Sequence, residues 1–506
     1  MRAPLMQHPL GADHEWLTTT VLITQTTWWE EGAADLRFLP VMTLPGTTNR
    51  FINNFASLPD AQGRYYYTSY PSLAYLAPYA LFRMAGTPPS AVLLRWFNLL
   101  FAHLLGTILV YLLLMRLWPS SPVSARRLAA LVAVAMYIWS PATLWYQSNV
   151  YMSDTFVQPL FVLGVYVAVR TWRAQRHQGW WLAAIGTTAL LMTGSEWIGV
   201  FFTASLLLWA ALRWRDRRGW AMAAASAAGS ATAVVVTLWH YSLIAGLPAL
   251  LAALSSKLAS RSGLSGSSYA SVSVMSSWLS IAGHYAGFWF AAIFAILGLA
   301  VWLWRVRGRV GAVPSVEKET IGLALLVSWT PVILHHVVFF DFTSVHSFSV
   351  LKTALPFAIT VYLLVVGVLV ASLAEPALRR RGAAVGVLVV GVFVVVAGGL
   401  QFFGQHRPEW SGPSQQQLKY ESIGETMRAS APADQVVFVR TSGSSLAPMD
   451  IWYARRNLAV WKGPEAAAAV IARTGASGGV VFTLDSGGAR VIATDRIGPS
   501  GETTGR

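Results

Sequence analysis

The stretch VLLRWFNLLFAHLLGTILVYLLLMRLW, residues 92–118, is long and apolar enough to cross a lipid bilayer as a single helix. An α-helix needs about 20 apolar residues to span roughly 30 Å of hydrocarbon. Nine further apolar runs follow it, at 127–146, 154–172, 180–194, 197–214, 220–245, 281–306, 321–340, 350–373 and 382–403. Apolar and polar residues do not alternate in these runs, as they would in a membrane β-barrel. The sequence therefore predicts a polytopic α-helical membrane protein with about ten spans.

The composition agrees with a membrane protein and argues against several soluble classes. Of the 506 residues, 55% are hydrophobic and only 12% are charged, against about 25% charged in a typical soluble domain. A net charge of +15 would suggest nucleic-acid binding in a soluble protein, but here the basic residues are expected to anchor cytoplasmic loops. We therefore expect no nucleic acid partner. Cysteine is absent, which excludes disulfides, a thiolate nucleophile and a cysteine-based metal site.

The basic residues between the spans predict the orientation of the chain. Loops after odd-numbered spans carry seventeen of them: Arg116, Arg126, Arg127, Arg170, Arg173, Arg176, Arg213, Arg215, Arg217, Arg218, Arg305, Arg307, Arg309, Lys318, Arg379, Arg380 and Arg381. Loops after even-numbered spans carry three: Lys257, Arg261 and Lys352. Basic loops stay in the cytoplasm, so the first set is predicted to be cytoplasmic. The external parts are then the segment before residue 92, the tail after 403 and the loops at 147–153, 195–196, 246–280 and 341–349.

The external N-terminal segment of about 90 residues needs a means of export, and no signal peptide is visible in it. We therefore expect a further apolar span to be encoded upstream of Met1. The alternative is that 71–86 crosses the membrane, but this stretch is short and contains Pro71, Pro78 and Arg83. An interfacial helix is the preferred interpretation of 71–86.

Acidic residues stand near the start of this segment, in DHEWLTTTVLITQTTWWEEG, residues 13–32. The run after Glu15 has a helical stripe of four side chains: Leu17, Val21, Thr24 and Trp28. Such a stripe predicts a helix that lies in the membrane interface. Asp13 and Glu15 are candidates for catalysis, and the alternative is that Asp13 caps this helix with Glu15 in its first turn.

Two more acidic residues lie where predicted spans meet the external surface. An acid at a membrane boundary is costly unless it is partnered or functional, so Asp154 is a candidate site residue. The alternative is that Ser153 or Asp154 caps the next helix. Glu196 lies in a tight turn with little access to water, so we expect it to face the protein interior. Gly194 and Ser195 beside it could alternatively serve only to make the turn.

A late external stretch, HHVVFFDFTSVHSFSVLKTALP, gathers basic and acidic side chains. It contains His335, His336, Asp341, His346 and Lys352. A phosphate at the membrane surface would bind to such donors. The spacing of the His and Asp residues matches no compact metal-binding motif, so a metal held by this stretch alone is not favoured.

Several of these motifs resemble the GT-C superfamily of membrane glycosyltransferases, which includes protein O-mannosyltransferases and the aminoarabinose transferase of lipid A. The resemblance rests on the first acidic motif and on YYYTSYPSLAYLAPYALFRMAGTPPSAVLLRWFNLL, SPATLWYQSNVYMSD and HSFSVLKTALPF. The matching residues are Asp13, Glu15, Tyr70–Pro71, Arg95 and Asp154. The acidic pair of the family is adjacent, whereas His14 separates the two acids here.

The resemblance implies a transfer reaction on the external face of the cytoplasmic membrane. The donor would be a sugar on a polyprenyl phosphate, and the acceptor a glycan, a lipid or a protein. A carboxylate would take the proton of the acceptor hydroxyl, with Glu15 preferred as the base and Asp13 as the alternate. Asp154 is expected at the same point. A divalent cation, Mg²⁺ or Mn²⁺, held by Glu15 and Asp154 is also expected.

The local chemistry and the resemblance together give a set of expected substrate-binding residues around these acids. They are His14, Tyr70, Glu196, His346 and Lys352. Lys352 or His346 would neutralise the charge that develops on the leaving polyprenyl phosphate.

The tail after residue 403 is less hydrophobic and predicts a small α/β domain over 404–506, external by the same orientation argument. DQVVFVR, NLAVW, GGVVFTLD and ARVIATD are typical of strands, and MDIWYARR and PEAAAAVIART of helices. The domain organisation is thus an external segment with interfacial helices (1–91), a transmembrane domain (92–403) and this tail, with GPSQQQ at 412–417 as the join.

Two other functions remain open at this stage. One is a lipid or glycolipid transporter or flippase, and the other is an inactive scaffold of GT-C type. A transporter would need acids or bases near the middle of its spans, whereas the acids found here lie at span ends, which favours the enzyme. No Walker loop, dinucleotide fingerprint or nucleophile elbow is visible on the cytoplasmic side.

The orientation can be tested with fused reporters. A reporter placed after Gly404 should report an external location, and one placed near Arg217 a cytoplasmic location, because the basic loops are retained inside. The opposite pair of results would move every candidate residue to the wrong side of the membrane.

Overall fold

The computed structural model describes residues 6–53, 58–263, 274–306, 313–373, 377–441, 446–485, 488 and 490–502. Arg307 and Arg309, which contributed to the orientation argument, lie outside the described residues, as does part of the loop at 246–280. The chain forms a helical bundle that carries a small mixed sheet at its C-terminal end.

The N-terminal segment packs on one end of this bundle. It contains α1 (Trp16–Glu31), a two-stranded antiparallel ribbon of β1 (Leu58–Pro59) and β2 (Tyr65–Tyr66), and α2 (Leu73–Ala85). The helix that the sequence predicts at 71–86 is therefore present, although the structure contains no membrane against which to place it.

The bundle itself is built from fourteen helices of the described residues. They are α3 (Ala91–Leu117), α4 (Val123–Ile138), α5 (Pro141–Asn149), α6 (Ser153–Arg173), α7 (Gln178–Thr193), α8 (Ile198–Leu212), α9 (Arg217–Ala245), α10 (Leu247–Arg261), α11 (Val274–Gly283), α12 (Ala286–Val306), α13 (Ser315–Val338), α14 (Phe340–Val345), α15 (Ala354–Ser372) and α16 (Ala377–Ser411). A 3₁₀ segment, Ser347–Thr353, leads directly into α15.

Seven helices among the described residues are long and apolar enough to cross a membrane. An eighth span results if α4 and α5, which meet at an angle of 64°, are counted together. The polytopic membrane fold is therefore confirmed. The spans predicted at 180–194 and 197–214 correspond to α7 and α8, which have only 16 and 15 residues, so the count of ten remains a prediction.

The core of the bundle lies around α6 and the continuous helical segment Ser347–Ser372, both of which are mostly buried. The outer helices are more exposed and present large apolar side chains outward, as α9 does with Val235, Val236 and Trp239. In a bilayer these outward surfaces contact lipid chains, which are as apolar as the side chains themselves.

Helix α1 differs from its sequence-based prediction. Its side chains from Leu17 to Trp28 are buried on every face, so it is enclosed by protein and does not have one apolar stripe. This burial is possible because polar groups on the helix find backbone partners. Thr24 donates to the carbonyl of Val41 at 2.9 Å, and Trp28 donates to that of Leu39 at the same distance. Buried polar groups that are hydrogen-bonded avoid the cost of desolvation.

The C-terminal domain begins with a helix that the sequence did not predict, α17 (Gln415–Ser430). The predicted strands and helices follow as β3 (Gln435–Arg440), α18 (Pro448–Ala454), β4 (Leu458–Val460), α19 (Pro464–Thr474), β5 (Gly478–Leu484) and β6 (Val491–Ile497). The sheet order is β4-β3-β5-β6, with β3 parallel to β4 and β5, and β6 antiparallel. Helix α16 continues past residue 404 to Ser411 and bends at His406, so the join lies at 412–414.

This domain is fastened to the N-terminal segment by hydrogen bonds. The side chain of Asn457 accepts from the amide of Leu44 at 3.0 Å and donates to the carbonyls of Asn49 and Ile52 at 3.1 and 3.2 Å. Gln417 donates to the carbonyl of Pro9 at 2.7 Å. The sheet domain therefore lies against the loop that carries the first acidic motif.

Candidate active site

Glu15 forms a buried ion pair with Arg95, at 2.5 Å between carboxylate and guanidinium, and both side chains are almost fully enclosed. Its second oxygen accepts hydrogen bonds from the amides of Gly11 and Ala12 at 2.9 and 2.8 Å. Charge-assisted hydrogen bonds of this kind are the strong ones in proteins. Both oxygens of Glu15 are thus occupied, which makes this side chain an anchor for the N-terminal loop.

The side chain of Asp13, two residues earlier, is accessible from outside the protein. Its side chain is 48% exposed, and one oxygen lies 3.3 Å from the hydroxyl of Tyr146, which donates to it. The indole of Trp145 donates to the backbone carbonyl of Asp13 at 3.1 Å and so fixes the loop. The carboxylate borders a cavity of about 770 Å³ between the N-terminal loop and the C-terminal domain. Of the two acids in this motif, the geometry favours Asp13 as the one that can reach a substrate.

Helix capping does not account for these acids. Helix α1 begins at Trp16, and its capping residue, Glu15, makes no side-chain hydrogen bond to the helix. Helix α6 likewise begins after Met152, and its capping hydrogen bonds come from Thr155 and not from Asp154. The capping alternative is therefore wrong at both positions.

Two histidines pack beside Asp13. The ring of His14 meets those of His346 and Phe348 edge-on, with centroids 5.4 and 5.1 Å apart. Burial lowers the pKa of His14, although the charge of Asp13 opposes the effect. Burial and then His14 lower the pKa of His346 to about 3. His346 is therefore neutral at physiological pH, and it can offer a phosphate a hydrogen bond but no positive charge.

A second cluster of charged side chains is buried between α6, α8, α13 and the 3₁₀ segment before α15. Lys352 donates to one oxygen of Asp154, and both side chains are fully enclosed. His335 lies 3.5 Å from Glu196, whose other oxygen accepts from the amide of Ile198 at 2.7 Å. The prediction that Glu196 faces the interior is confirmed, since it is 1% exposed. We call Asp154, Glu196, His335 and Lys352 the buried charge cluster.

The buried charge cluster contains a set of groups that could hold a metal ion. Ligand atoms of Asp154, Glu196 and His335 lie within 4.8 Å of one another. The second oxygen of Asp154 is buried and has no hydrogen-bond partner among the described residues. Glu15 is not a member of this set, because Arg95 and two amides occupy its oxygens. The structure therefore corrects the expected pair of metal ligands: Asp154 is grouped with Glu196 and His335.

Tyr70 connects the buried charge cluster to a groove on the outside of the bundle. Burial and then the negative charge of Asp154 raise the pKa of Tyr70. The guanidinium of Arg261 lies over its ring, 5.3 Å from the centroid. Arg261 also lines an apolar groove of about 260 Å³, together with Lys257. The groove is otherwise lined by Ser69, Trp197, Val200, Phe201, Leu254, Leu258 and Phe339.

Lys257 is an unusual lysine for a surface groove. Its ammonium group donates to the hydroxyl of Ser69 at 2.7 Å and lies 4.9 Å from the centroid of the Tyr67 ring. Burial and then the charge of Arg261 lower the pKa of Lys257 to about 7. Two cations at the end of an apolar groove suit a ligand with an anionic head and an apolar tail.

Lys257 and Arg261 were not among the residues selected from the sequence as site residues, and His335 was named only as one of the possible phosphate donors of the late stretch. Lys257 and Arg261 were noticed only because the predicted external loops carry few basic residues, and that rarity is the signal that pointed to them. Asp341 and His336 from the late stretch are buried nearby but do not belong to the set of possible metal ligands.

Comparisons with known proteins are informative only at the level of structure. No family model matches the sequence, and no curated protein sequence is similar enough to count as a relative. Among solved structures, ArnT from Cupriavidus metallidurans bound to undecaprenyl phosphate has a TM-score of 0.58 at 13% identity, over 96% of this chain and 90% of that one.

A second similar structure comes from an archaeal protein. The oligosaccharyltransferase AglB from Archaeoglobus fulgidus, in complex with an inhibitory peptide and a dolichol-phosphate, has a TM-score of 0.53 at 11% identity. The match covers 94% of this chain and 66% of AglB. Both proteins are members of the GT-C superfamily. The chain described here therefore has the GT-C fold, as its motifs predict.

Proposed function

We propose that this protein transfers a sugar from a polyprenyl-phosphate donor to an acceptor hydroxyl on the extracytoplasmic face of the cytoplasmic membrane. The observation that carries the proposal is the apolar groove lined by Lys257 and Arg261, beside the buried charge cluster. The similar structures support it, because one contains undecaprenyl phosphate and the other a dolichol-phosphate.

The groove matches the two parts of such a donor. Val200 and Leu258 line it and are also exposed on the outside of the bundle, where an isoprenoid chain could enter from the bilayer. The phosphate then meets Lys257 and Arg261. Arginine binds phosphate through two parallel hydrogen bonds, and lysine binds it as a point charge.

Asp13 is the base in this proposal, in place of Glu15. It takes the proton of an acceptor hydroxyl, whose oxygen attacks the anomeric carbon of the sugar. The bond between that carbon and the phosphate oxygen breaks, and its electron pair stays on the polyprenyl phosphate. Tyr146 donates to one oxygen of Asp13 and holds the carboxylate in place. Positioned bases typically contribute 10²–10⁴-fold in rate, a range of about 3–5 kcal/mol.

The leaving phosphate gains negative charge as the bond breaks, and fixed cations nearby stabilise it. Lys257 and Arg261 supply this charge directly. Lys352 is already paired with Asp154 and fully enclosed, so its role is to balance the buried charge cluster. Glu196 is a member of the buried charge cluster, and Tyr70 contacts Arg261 of the groove.

A divalent cation fits the buried charge cluster, with Asp154, Glu196 and His335 as its ligands. When bound, it would supply further positive charge close to the phosphate. A histidine nitrogen beside two carboxylates suits Mn²⁺ better than Mg²⁺, which prefers oxygen ligands throughout.

The acceptor is proposed to enter through the cavity between Asp13 and the C-terminal domain. Its wall includes Trp16, Gln416, Tyr420 and Met449, a mixture of aromatic and hydrogen-bonding groups. Aromatic faces and amides can bind a glycan, a lipid head group or a peptide, so the class of acceptor stays open.

One observation favours a second function, a transporter or flippase for a lipid-linked sugar. The Asp154–Lys352 pair is fully buried at the ends of two central helices, and ionisable groups inside a membrane protein often mark a translocation pathway. A transporter does not need the open carboxylate of Asp13, so the first experiment below distinguishes the two functions.

Asp13→Asn should reduce sugar transfer by about 10²–10⁴-fold while the protein remains folded, because the exposed side chain keeps its shape but loses its basicity. The measurement is transfer from a polyprenyl-phosphate sugar to acceptor in proteoliposomes. Glu15→Gln is the matched comparison. It should lower the yield of folded protein, because removing one partner of a buried ion pair costs about 3–5 kcal/mol. Unchanged transfer by Asp13→Asn would show that this carboxylate is not the base.

Because the pKa of Lys257 is lowered, we expect the binding of a lipid phosphate to depend on pH. Its pKa of about 7 means that the ammonium form is lost as the pH rises through that value. Binding of undecaprenyl phosphate should therefore become weaker by about tenfold between about pH 6 and pH 8. Lys257→Arg keeps its charge over this range and should flatten the profile. The affinity is measured by equilibrium binding in detergent. If the unmodified protein and Lys257→Arg show the same pH dependence of affinity, Lys257 is excluded from the phosphate site.

The metal proposal can be tested with two neighbouring histidines. His335→Gln should lower Mn²⁺ affinity by at least about tenfold, the lower end of the effect seen for residues that support metal sites. His336→Gln is the control, because that ring bonds to the carbonyl of Val332 at 2.7 Å and is not in the ligand set. Mn²⁺ titration of both purified proteins gives the comparison. Equal affinities in the two variants would contradict the assigned ligands.

A further inference from the structure

A cavity of about 850 Å³ lies far from the groove and from Asp13. Arg173, which lines it, is at the opposite end of α6 from Asp154. At 1.5 Å per residue, the two ends of this 21-residue helix are about 30 Å apart. The cavity therefore lies at the end of the bundle that the basic loops predict to be cytoplasmic, and we call it the basic cavity.

Six arginines line the basic cavity: Arg116, Arg126, Arg127, Arg170, Arg173 and Arg176. They come from the end of α3, the start of α4, the end of α6 and the connection to α7. Among the described residues, no Asp or Glu lines the cavity. Arginines that only determine membrane orientation are expected to face water separately and not to line one cavity. The convergence of these six arginines therefore requires another explanation.

Another arginine at the same end of the bundle, Arg213, has an acidic partner, since its guanidinium lies 3.1 Å from the carboxylate of Glu319. The six arginines of the basic cavity make no ion pair of this kind with any described residue. Their positive charge is thus left without a counter-ion among the described residues.

The hydrogen bonds that these arginines do make go to neutral groups. Arg173 donates to the carbonyl of Arg116 at 3.0 Å, and Arg126 donates to that of Met115 at 3.2 Å. The Nε of Arg126 is buried and has no partner among the described residues. A guanidinium has five N–H donors, so several donors of this cluster remain for a ligand with many acceptor oxygens.

An apolar surface leads from the basic cavity along the outside of the bundle. Leu104, Ile108 and Leu112 are exposed at successive turns of α3, and Leu112 is also part of the cavity wall. Trp180, which precedes the cavity-lining Trp181 in the sequence, is 79% exposed, as expected for a side chain at the membrane–water boundary. An anionic head in the cavity and acyl chains along α3 would therefore occupy adjacent surfaces.

We propose that the basic cavity binds the head group of an anionic phospholipid that carries two phosphates, with its acyl chains lying along α3. Basic pockets between helices at the cytoplasmic side of membrane proteins suit such head groups. Two phosphates match the arrangement better than one, because six arginines from four elements surround a volume of about 850 Å³. The exposed leucine surface distinguishes a lipid from a soluble phosphate.

The proposal is tested on the purified full-length protein, with bound lipid counted by native mass spectrometry and thermal stability measured in parallel. Cardiolipin, phosphatidylcholine and inorganic pyrophosphate are added separately. Cardiolipin should be retained and should raise the melting temperature, and the other two should do neither. Equal retention of phosphatidylcholine, or equal stabilisation by pyrophosphate, would overturn the proposal.

Arginine substitutions test whether the basic cavity is the site at which cardiolipin binds. Arg127→Gln combined with Arg176→Gln changes two exposed side chains and should leave the fold intact. Cardiolipin binding should weaken by about fivefold for each arginine removed. Arg215→Gln, an exposed arginine in the loop between α8 and α9, is the matched control and should bind as the unmodified protein does. Equal cardiolipin affinity in the double variant and the control would place the lipid elsewhere and overturn the proposal.

Discussion

The buried ion pair between Glu15 and Arg95 is the constraint on which the end of the molecule that carries the first acidic motif depends. Arg95 also donates to the carbonyls of Met6 and His8, at 3.1 and 2.7 Å, so one guanidinium holds the N-terminal loop at three points. Removing a partner would leave a charge buried without compensation. With the loop held in this way, Asp13 is presented at the mouth of the cavity that the C-terminal domain completes.

The buried charge cluster shows a different use of electrostatics. Asp154 and Lys352 compensate each other, and His335 lies 3.5 Å from Glu196, within a bundle that is otherwise apolar. Replacing such pairs with apolar residues is often neutral or stabilising, so stability alone gives a weak reason for them. Perturbed and paired ionisable groups near a groove are more typical of a functional site. The neighbouring groove with Lys257 and Arg261 agrees with that interpretation.

Much of the fold could be predicted because it depends on local patterns. The strands and helices of the tail, the helix at 71–86 and the inward position of Glu196 all follow from residue order, since periodicity, turns and hydropathy act over a few residues. Helix α1 is present as predicted, but its complete burial did not follow from the sequence, because it depends on threonine hydroxyls, among them that of Thr24, that bond to backbone carbonyls.

The sequence by itself determined that the chain is a polytopic helical membrane protein with acids at its span ends, because hydrophobic run length directly limits what can cross a bilayer. Only the tertiary structure decided which of the two acids, Asp13 or Glu15, is accessible from the cavity. Glu15 and Asp13 look alike in sequence, but Arg95, 80 residues further on, pairs with Glu15 and leaves Asp13 at the cavity. It likewise grouped Asp154 with Glu196 and His335. Such contacts join distant residues, and no local pattern records them.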